Sequence, residues 1–70
     1  MRARVKVDGI PGILTDERIE SLYGEPMVVI GDTAYSAMSF RGTVELVAPT
    51  HESRDLLSKW NLIKTGFGVL

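Results

Sequence analysis

The sequence predicts an α+β domain in which two short helices cover one face of a small, mostly antiparallel sheet. Short apolar or alternating segments recur between turn signals rich in Gly, Pro and Asp, as expected of strands. Two further segments each begin with a threonine cap and carry apolar residues at helical spacing. The predicted order is β-α-β-β-(β)-α-β in a single domain, residues 1–70, and it is compatible with a ferredoxin-like plan.

The first element is a strand, "RARVKVDG", whose residues alternate strictly between cationic and apolar. As a strand it places three cations on one face, namely Arg2, Arg4 and Lys6. The opposite face then carries Ala3, Val5 and Val7. After this strand, Pro11-Gly12 suits the two central positions of a type II turn.

A first helix is predicted over residues 16–23. Thr15 is a suitable N-cap, and Gly24 is a suitable C-terminal stop. The apolar stripe of this helix is Ile19, Leu22 and Tyr23, at spacing i, i+3, i+4. With about two turns, such a helix depends on packing for its stability.

The middle of the chain is predicted to be extended. Residues 27–30 form a short apolar run, and Gly31-Asp32 is a two-residue turn signal before the strand "TAYSAMSF". Arg41-Gly42 is a second candidate turn, and residues 43–48 alternate as a further strand.

A second helix is predicted over residues 51–60, capped by Thr50 and stopped near Asn61. Its buried side chains are expected to be Leu56, Leu57 and Trp60. The tail, "LIKTGFGVL", is predicted to return to the sheet as a last strand, with Phe67 and Val69 on one face.

Composition excludes several kinds of site and partner. The chain has no cysteine, so disulfides and thiolate chemistry are excluded. Eight Lys and Arg against nine Asp and Glu give a formal charge of −1, which argues against whole-molecule attraction to nucleic acid. No apolar run is long enough for a membrane span or a signal peptide, so we expect a cytoplasmic protein with no membrane partner.

The chemistry-bearing residues do not form a catalytic pattern. His51 and Asp55 are four apart on the second helix, but a metal site normally recruits a third protein ligand, which the spacing does not supply. No nucleophile elbow surrounds Ser36, Ser39 or Ser53. We therefore expect a protein that is not an enzyme and that has no metal or cofactor.

The row of Arg2, Arg4 and Lys6 forms a weak anion patch. Three phosphate contacts would give a salt-dependence slope of only about −2 to −3, and neither predicted helix is basic. Cations on a solvent face also discourage edge-to-edge pairing of strands. We favour a solvated face, and nucleic-acid binding through this strand is the last of the alternatives.

The segment "DGIPGIL" before a predicted helix resembles the ACT family of regulatory domains. That resemblance implies a small-molecule-binding regulatory domain, with a ligand near Asp8–Gly12. The predicted first helix is stopped early by Gly24 and Pro26, which departs from the family's pattern, and we do not assign the chain to it. A small-molecule-binding regulatory domain is the first alternative, ahead of a nucleic-acid-binding protein.

The segment from residue 27 to residue 40 carries one charged residue, Asp32, at the predicted turn. A strand of a one-layer sheet normally has one wet face, so a strand without charge on either side indicates a surface covered by another chain. The predicted protein interface is Thr33, Tyr35, Ser36, Ala37, Met38, Ser39 and Phe40, joined by Phe67, Val69 and Leu70. We therefore expect a non-enzymatic protein-interaction module: a homo-oligomer, an accessory subunit or a modulator of a partner, of a size often encoded by phages or mobile elements.

Overall fold

The computed structural model describes the backbone of residues 1–69 and the side chains of residues 1–66. In this part of the chain, five strands form one antiparallel sheet in the order β4-β3-β2-β1-β5, and one helix packs on one of its faces. The elements are β1 (Arg2–Val7), β2 (Ile10–Thr15), β3 (Met27–Ile30), β4 (Thr33–Ser36), β5 (Val44–Leu46) and α1 (His51–Val69). The α+β class is confirmed, but the two-helix, ferredoxin-like order is not.

The first turn lies three residues earlier than predicted. Asp8 and Gly9 both have positive φ, 50° and 86°, as a type I′ hairpin turn requires. They join β1 directly to β2, with Val7 opposite Ile10. The predicted turn at Pro11-Gly12 is therefore wrong, because both residues lie within β2.

Proline is tolerated in β2 because its missing N–H faces no partner strand. Val7 and Ile10 form the hydrogen-bonded pair that closes the two-residue hairpin. The next pair, Lys6 and Pro11, is therefore a non-hydrogen-bonded pair, in which Pro11 would donate no hydrogen bond to β1. On the other side, β3 pairs with β2 only from Ile13 to Thr15. Pro11 therefore costs the sheet no ladder hydrogen bond.

The predicted first helix is absent, and residues 16–26 form a loop. A single turn closes where the amides of Glu20 and Ser21 both donate to the carbonyl of Glu17, at 3.1 and 2.8 Å. The expected apolar stripe is exposed instead, with Ile19, Leu22 and Tyr23 at 88%, 81% and 89%. A two-turn helix is unstable unless its apolar side is buried, and this stripe is not buried against the described part of the chain.

The β3–β4 hairpin confirms the predicted turn at Gly31-Asp32, where Gly31 has a φ of 61°. β4 ends at Ser36, earlier than predicted, because the amide of Ser39 turns back to the Ser36 carbonyl at 3.3 Å. Arg41-Gly42 is not a hairpin turn. Residues 37–43 connect one edge of the sheet to the other and pack against the helix side through Phe40.

Helix α1 begins where predicted. The amide of Ser53 donates to Thr50 Oγ1 at 3.1 Å, and the amide of Thr50 donates to Ser53 Oγ at 2.8 Å, which is a reciprocal capping arrangement. The predicted stop at Asn61 is wrong, because the stripe through Trp60 continues to Ile63 on the same side. The predicted last strand is also wrong, since Phe67 and Val69 fall within α1; Leu70 lies outside the described residues.

The core lies between α1 and one face of the sheet. Leu56 and Trp60 are buried as predicted, and Leu57 is partly buried against the same cluster. The expected core residues of the missing first helix do not contribute. The buried apolar residues are Val5, Val7, Leu14, Val28, Ala37, Leu56 and Trp60.

Candidate functional site

The face of the sheet opposite α1 is open. Cross-strand pairs in an antiparallel sheet share a face, so the pairs Arg2–Thr15, Arg4–Ile13 and Lys6–Pro11 all point away from the helix. Arg2, Arg4 and Lys6 are exposed, whereas Val5 and Val7 between them are buried. The predicted division of β1 into a cationic face and a core face is therefore confirmed. We call the uncovered side the open face.

A shallow groove of about 450 Å³ runs over the open face. Its apolar lining includes Ile13 and Val29, which are cross-strand neighbours in the middle of the sheet, and Val47 beside β1. Arg4 and Lys6 line the same groove. The groove thus combines an aliphatic floor with cationic sides, a property that alternation within β1 alone does not reveal.

One end of the open face is covered by the loop of residues 16–26. Thr15 faces this side but is fully buried, and its Oγ1 accepts a hydrogen bond from the amide of Glu17 at 3.0 Å. Arg2 forms an ion pair with Glu20 of the loop. Hydrogen bonding to that carboxylate raises the pKa of Arg2 above its ordinary value. The loop is therefore held against the Arg2 end of the face.

The N-terminal amine also holds the loop at this end of the open face. It lies 2.9 Å from a carboxylate oxygen of Asp16 and 3.3 Å from one of Glu17. Hydrogen bonding to the amine lowers the pKa of Asp16, and the reciprocal bond to Asp16 raises the pKa of the amine. Four carboxylates belong to this loop, which we call the acidic loop: Asp16, Glu17, Glu20 and Glu25.

The opposite end of the open face holds unneutralised positive charge. Within the part of the chain whose side chains are described, neither Arg4 nor Lys6 has a carboxylate oxygen within 4 Å. Glu45 is the cross-strand neighbour of Lys6 on β5 and reduces this charge without forming an ion pair. The open face thus has a loop end, where Arg2 and the N-terminal amine are paired with carboxylates, and an Arg4–Lys6 end without an ion pair among the described residues.

The predicted interface is only partly brought together. Thr33, Tyr35 and Ser36 lie in β4, and Met38 and Ser39 are exposed in the turn that follows, with Met38 at 71%. Ala37 is buried, and Phe40 packs on the core side. The ring centroid of Phe40 is 5.3 Å from that of Tyr35 and 5.7 Å from that of Trp60. The expected contributions of Phe67, Val69 and Leu70 lie outside the described side chains.

The two edge strands of the sheet, β5 and β4, differ in how well they are protected against pairing with a further strand. β5 is three residues long, has Glu45 at its centre and is soon followed by Pro49. Short length, charge and proline are devices that discourage a further strand. β4, at the other edge, carries no charge and no proline. Ile30 and Thr33 form the hydrogen-bonded pair that closes the β3–β4 hairpin, and hydrogen-bonded and non-hydrogen-bonded pairs alternate from there. The N–H groups of Ala34 and Ser36 therefore point away from β3, toward the open edge of the sheet.

The residues considered as metal ligands or nucleophiles do not come together in the described part of the chain. His51 Nε2 and Asp55 Oδ2 are 3.7 Å apart on the exposed side of α1, and no group of three or more potential metal ligands forms in this part of the chain. Ser53 is used in the helix cap, and the hydroxyls of Ser36 and Ser39 contact each other at 3.2 Å. These contacts are structural.

Of the helices that the structure describes, none has the length and hydrophobicity needed to span a bilayer. Comparisons of this chain with protein-family models, with curated proteins and with solved structures give no match.

Proposed function

We propose that the chain is a small, non-enzymatic protein-interaction module that accepts an extended segment of a partner protein at β4. The observation that carries this proposal is the unprotected edge: four residues without charge, with outward N–H groups on Ala34 and Ser36. An edge of this kind is a template for strand addition, in which backbone hydrogen bonds provide affinity and alternate side chains provide specificity.

The surroundings of β4 fit the same role. Met38 is strongly exposed just beyond the strand, and a flexible thioether adapts to the surface of a partner. Tyr35 is half-buried, and its ring packs against that of Phe40, so this side chain of β4 is ordered before a partner binds. Rigid edges lose little conformational entropy on binding.

Ala34→Pro tests the proposal at a single backbone group, because it removes the N–H that points away from β3 and keeps every β3–β4 hydrogen bond. Ala34→Ser is the matched control, because it keeps that N–H and adds only a small polar side chain. Both variants are expected to keep the circular dichroism spectrum of the wild type. Proteins captured from the native host by the wild type and by Ala34→Ser should be lost with Ala34→Pro.

Amide hydrogen exchange gives the direct readout of strand addition. The N–H of Ala34 should exchange rapidly in the free protein and slowly in the complex, whereas the N–H of Tyr35, which faces β3, should be protected in both. Rapid exchange at Ala34 in every complex, or equal capture by Ala34→Pro, would show that β4 is not the binding edge.

A further inference from the structure

The groove of the open face carries an inference that does not depend on the β4 edge. The strand register places its apolar and cationic residues in one row across the sheet, because Val29 pairs with Ile13 and Ile13 pairs with Arg4. Val47 lies on the far side of Arg4, where its amide donates to the Arg4 carbonyl at 3.0 Å. Ile13 and Val29 therefore form an aliphatic floor that ends at a guanidinium-bearing residue.

The cations of this groove differ in whether they have a partner. Arg2, Arg4 and Lys6 all line it, but Arg2 is paired with Glu20. Among the residues whose side chains are described, neither Arg4 nor Lys6 forms an ion pair. These two residues lie on the same side of β1, about 7 Å apart along the strand. The groove thus offers two neighbouring cations to one anionic group.

We propose that this groove binds a free, medium-chain aliphatic carboxylate, with the anionic group between Arg4 and Lys6 and the alkyl chain over Ile13 and Val29. The guanidinium of Arg4 has the paired N–H donors that a carboxylate accepts, and Lys6 adds a second positive charge. The groove, at about 450 Å³, lies within the range of about 300–1,000 Å³ that is usual for small-molecule sites. An aliphatic floor beside two cations fits a ligand with one apolar and one anionic part.

The charge of the groove selects a ligand with a single negative charge. Glu45, the cross-strand neighbour of Lys6, offsets part of the positive charge, so that two cations and one carboxylate leave one positive charge. The described residues that line the groove include no carboxylate that would repel an anion. A phosphate monoester carries about two negative charges at neutral pH, which is more than this end of the face balances. A carboxylate matches it.

The width of the aliphatic floor sets the length of the alkyl chain. Neighbouring strands are about 4.8 Å apart, so the row from Arg4 on β1 to Val29 on β3 spans about 10 Å. An extended chain advances about 1.2 Å per bond, so about eight carbons reach from the cations to Val29. The next residue in the row is Ala34 on the edge strand, whose methyl group adds little apolar surface. We therefore expect affinity to rise with chain length up to about eight carbons and then to level off.

The lining also argues against two other anionic partners. Single-stranded nucleic acids bind on aromatic side chains that stack with bases, and the described residues that line the groove include none. Anionic lipid surfaces attract clusters of several Lys and Arg residues, whereas the whole chain has a formal charge of −1. An oligonucleotide or an anionic vesicle that binds this face in place of the free carboxylate would overturn the proposal.

The first test uses the wild type and a series of straight-chain carboxylates, followed by NMR shifts of the backbone amides. Octanoate should give saturable shifts at Ile13 and Val29 and none along α1. From butyrate to octanoate, each added methylene should raise affinity about twofold, because a half-covered methylene contributes about half of its full transfer free energy. Decanoate should bind no more than about twofold more tightly than octanoate. Octanol, which has the same chain without the charge, should bind about tenfold more weakly.

Three variants separate the anionic part of the site from its apolar part. Arg4→Gln with Lys6→Gln removes both cations and should lower octanoate affinity about tenfold or more. Arg54→Gln with Lys59→Gln removes the same charge from the exposed side of α1 and should leave octanoate affinity unchanged. Val29→Thr keeps the shape of the floor but makes it polar, so it should weaken octanoate binding and leave butyrate binding unchanged.

The proposal fails if octanoate gives no saturable shift at Ile13 and Val29, or if octanol binds as tightly as octanoate. It also fails if butyrate and octanoate bind equally, since the aliphatic floor would then have no role, or if removal of both cations leaves octanoate affinity unchanged. Binding at β4 is measured by protein capture and binding in the groove by octanoate affinity, so that either proposal can fail without the other.

Discussion

The two faces of the sheet are built from neighbouring residues of the same strands, yet they have different surroundings. Leu14 faces α1 and is fully buried, whereas Ile13, the preceding residue, faces the open groove and stays half-buried. The same contrast separates Val28 from Val29. Similar apolar side chains therefore contribute to folding on one face and remain available for binding on the other.

The difference follows from the side on which the helix packs. α1 covers the side of the sheet that carries Leu14 and Val28, and no second helix among the described residues covers the side that carries Ile13 and Val29. Hydrophobicity at these positions is then a property of a surface, where exposed apolar patches mark interaction sites.

The largest effect is expected from Leu14→Ala, which should lower the free energy of unfolding by about 2–5 kcal/mol. Ile13→Ala is its matched control on the other face and should cost about 1 kcal/mol in a dilute sample. Urea titrations of both variants measure the contrast. Equal losses would mean that the open face is as deeply covered as the core.

Gly42→Ala should have the next largest effect, because it adds a methyl group on the covered side. A Cβ at Gly42 would lie 2.7 Å from the ring of Phe40 and 2.9 Å from Val7, so the variant should lose about 1–3 kcal/mol. Gly66→Ala is the control. Its Cβ would meet only Leu62 at 3.9 Å, and alanine is the better helix former, so stability should rise by about 0.5–1 kcal/mol. A stabilising Gly42→Ala would contradict the packing of residues 37–43 on the core.

The smallest effect is expected at the loop end of the open face, from Asp16→Asn. The pKa of Asp16 is lowered in the folded chain. Its carboxylate therefore stabilises the fold at any pH above the ordinary carboxyl pKa, and this stabilisation is lost as pH falls through the folded value. The pKa of the N-terminal amine is raised, so its contribution is present below its ordinary value and is lost as pH rises through the folded one.

Urea midpoints of the wild type and Asp16→Asn should therefore differ most between about pH 4 and pH 8, and converge outside that range. Glu25→Gln, in the same loop, is a suitable control for the change of charge. A difference between the wild type and Asp16→Asn that does not vary with pH would show that the amine is not the partner of Asp16.

Local signals predicted part of the fold well. The cap at Thr50, the turn at Gly31-Asp32 and the alternation of β1 are confirmed, because each depends on neighbours within a few residues. Asp8-Gly9 is a strong hairpin signal, and the prediction of a turn at Pro11-Gly12, three residues on, does not use it. Reading Asp8-Gly9 as the turn would have paired Arg4 with Ile13 and predicted the groove.

The candidate binding edge at β4 could not be predicted from the local sequence pattern. Whether β4 is an edge strand depends on which strand pairs with β1 on its far side, and that strand is β5, distant in sequence. The Gly31-Asp32 turn fixes which N–H groups of β4 point outward, and the strand order leaves those of Ala34 and Ser36 without a partner strand. The identity of a sheet edge is a property of the topology.

By itself, the sequence determined the class of the fold, the division of β1 into cationic and apolar faces, the start of α1 and the absence of thiol chemistry. The tertiary structure decided which helical patterns became helices. Residues 16–23 have a cap and an apolar stripe that stays exposed, whereas the stripe from Leu56 to Ile63 packs on the sheet and continues past Asn61. Helices this short are stabilised mainly by burial, and burial depends on the whole chain.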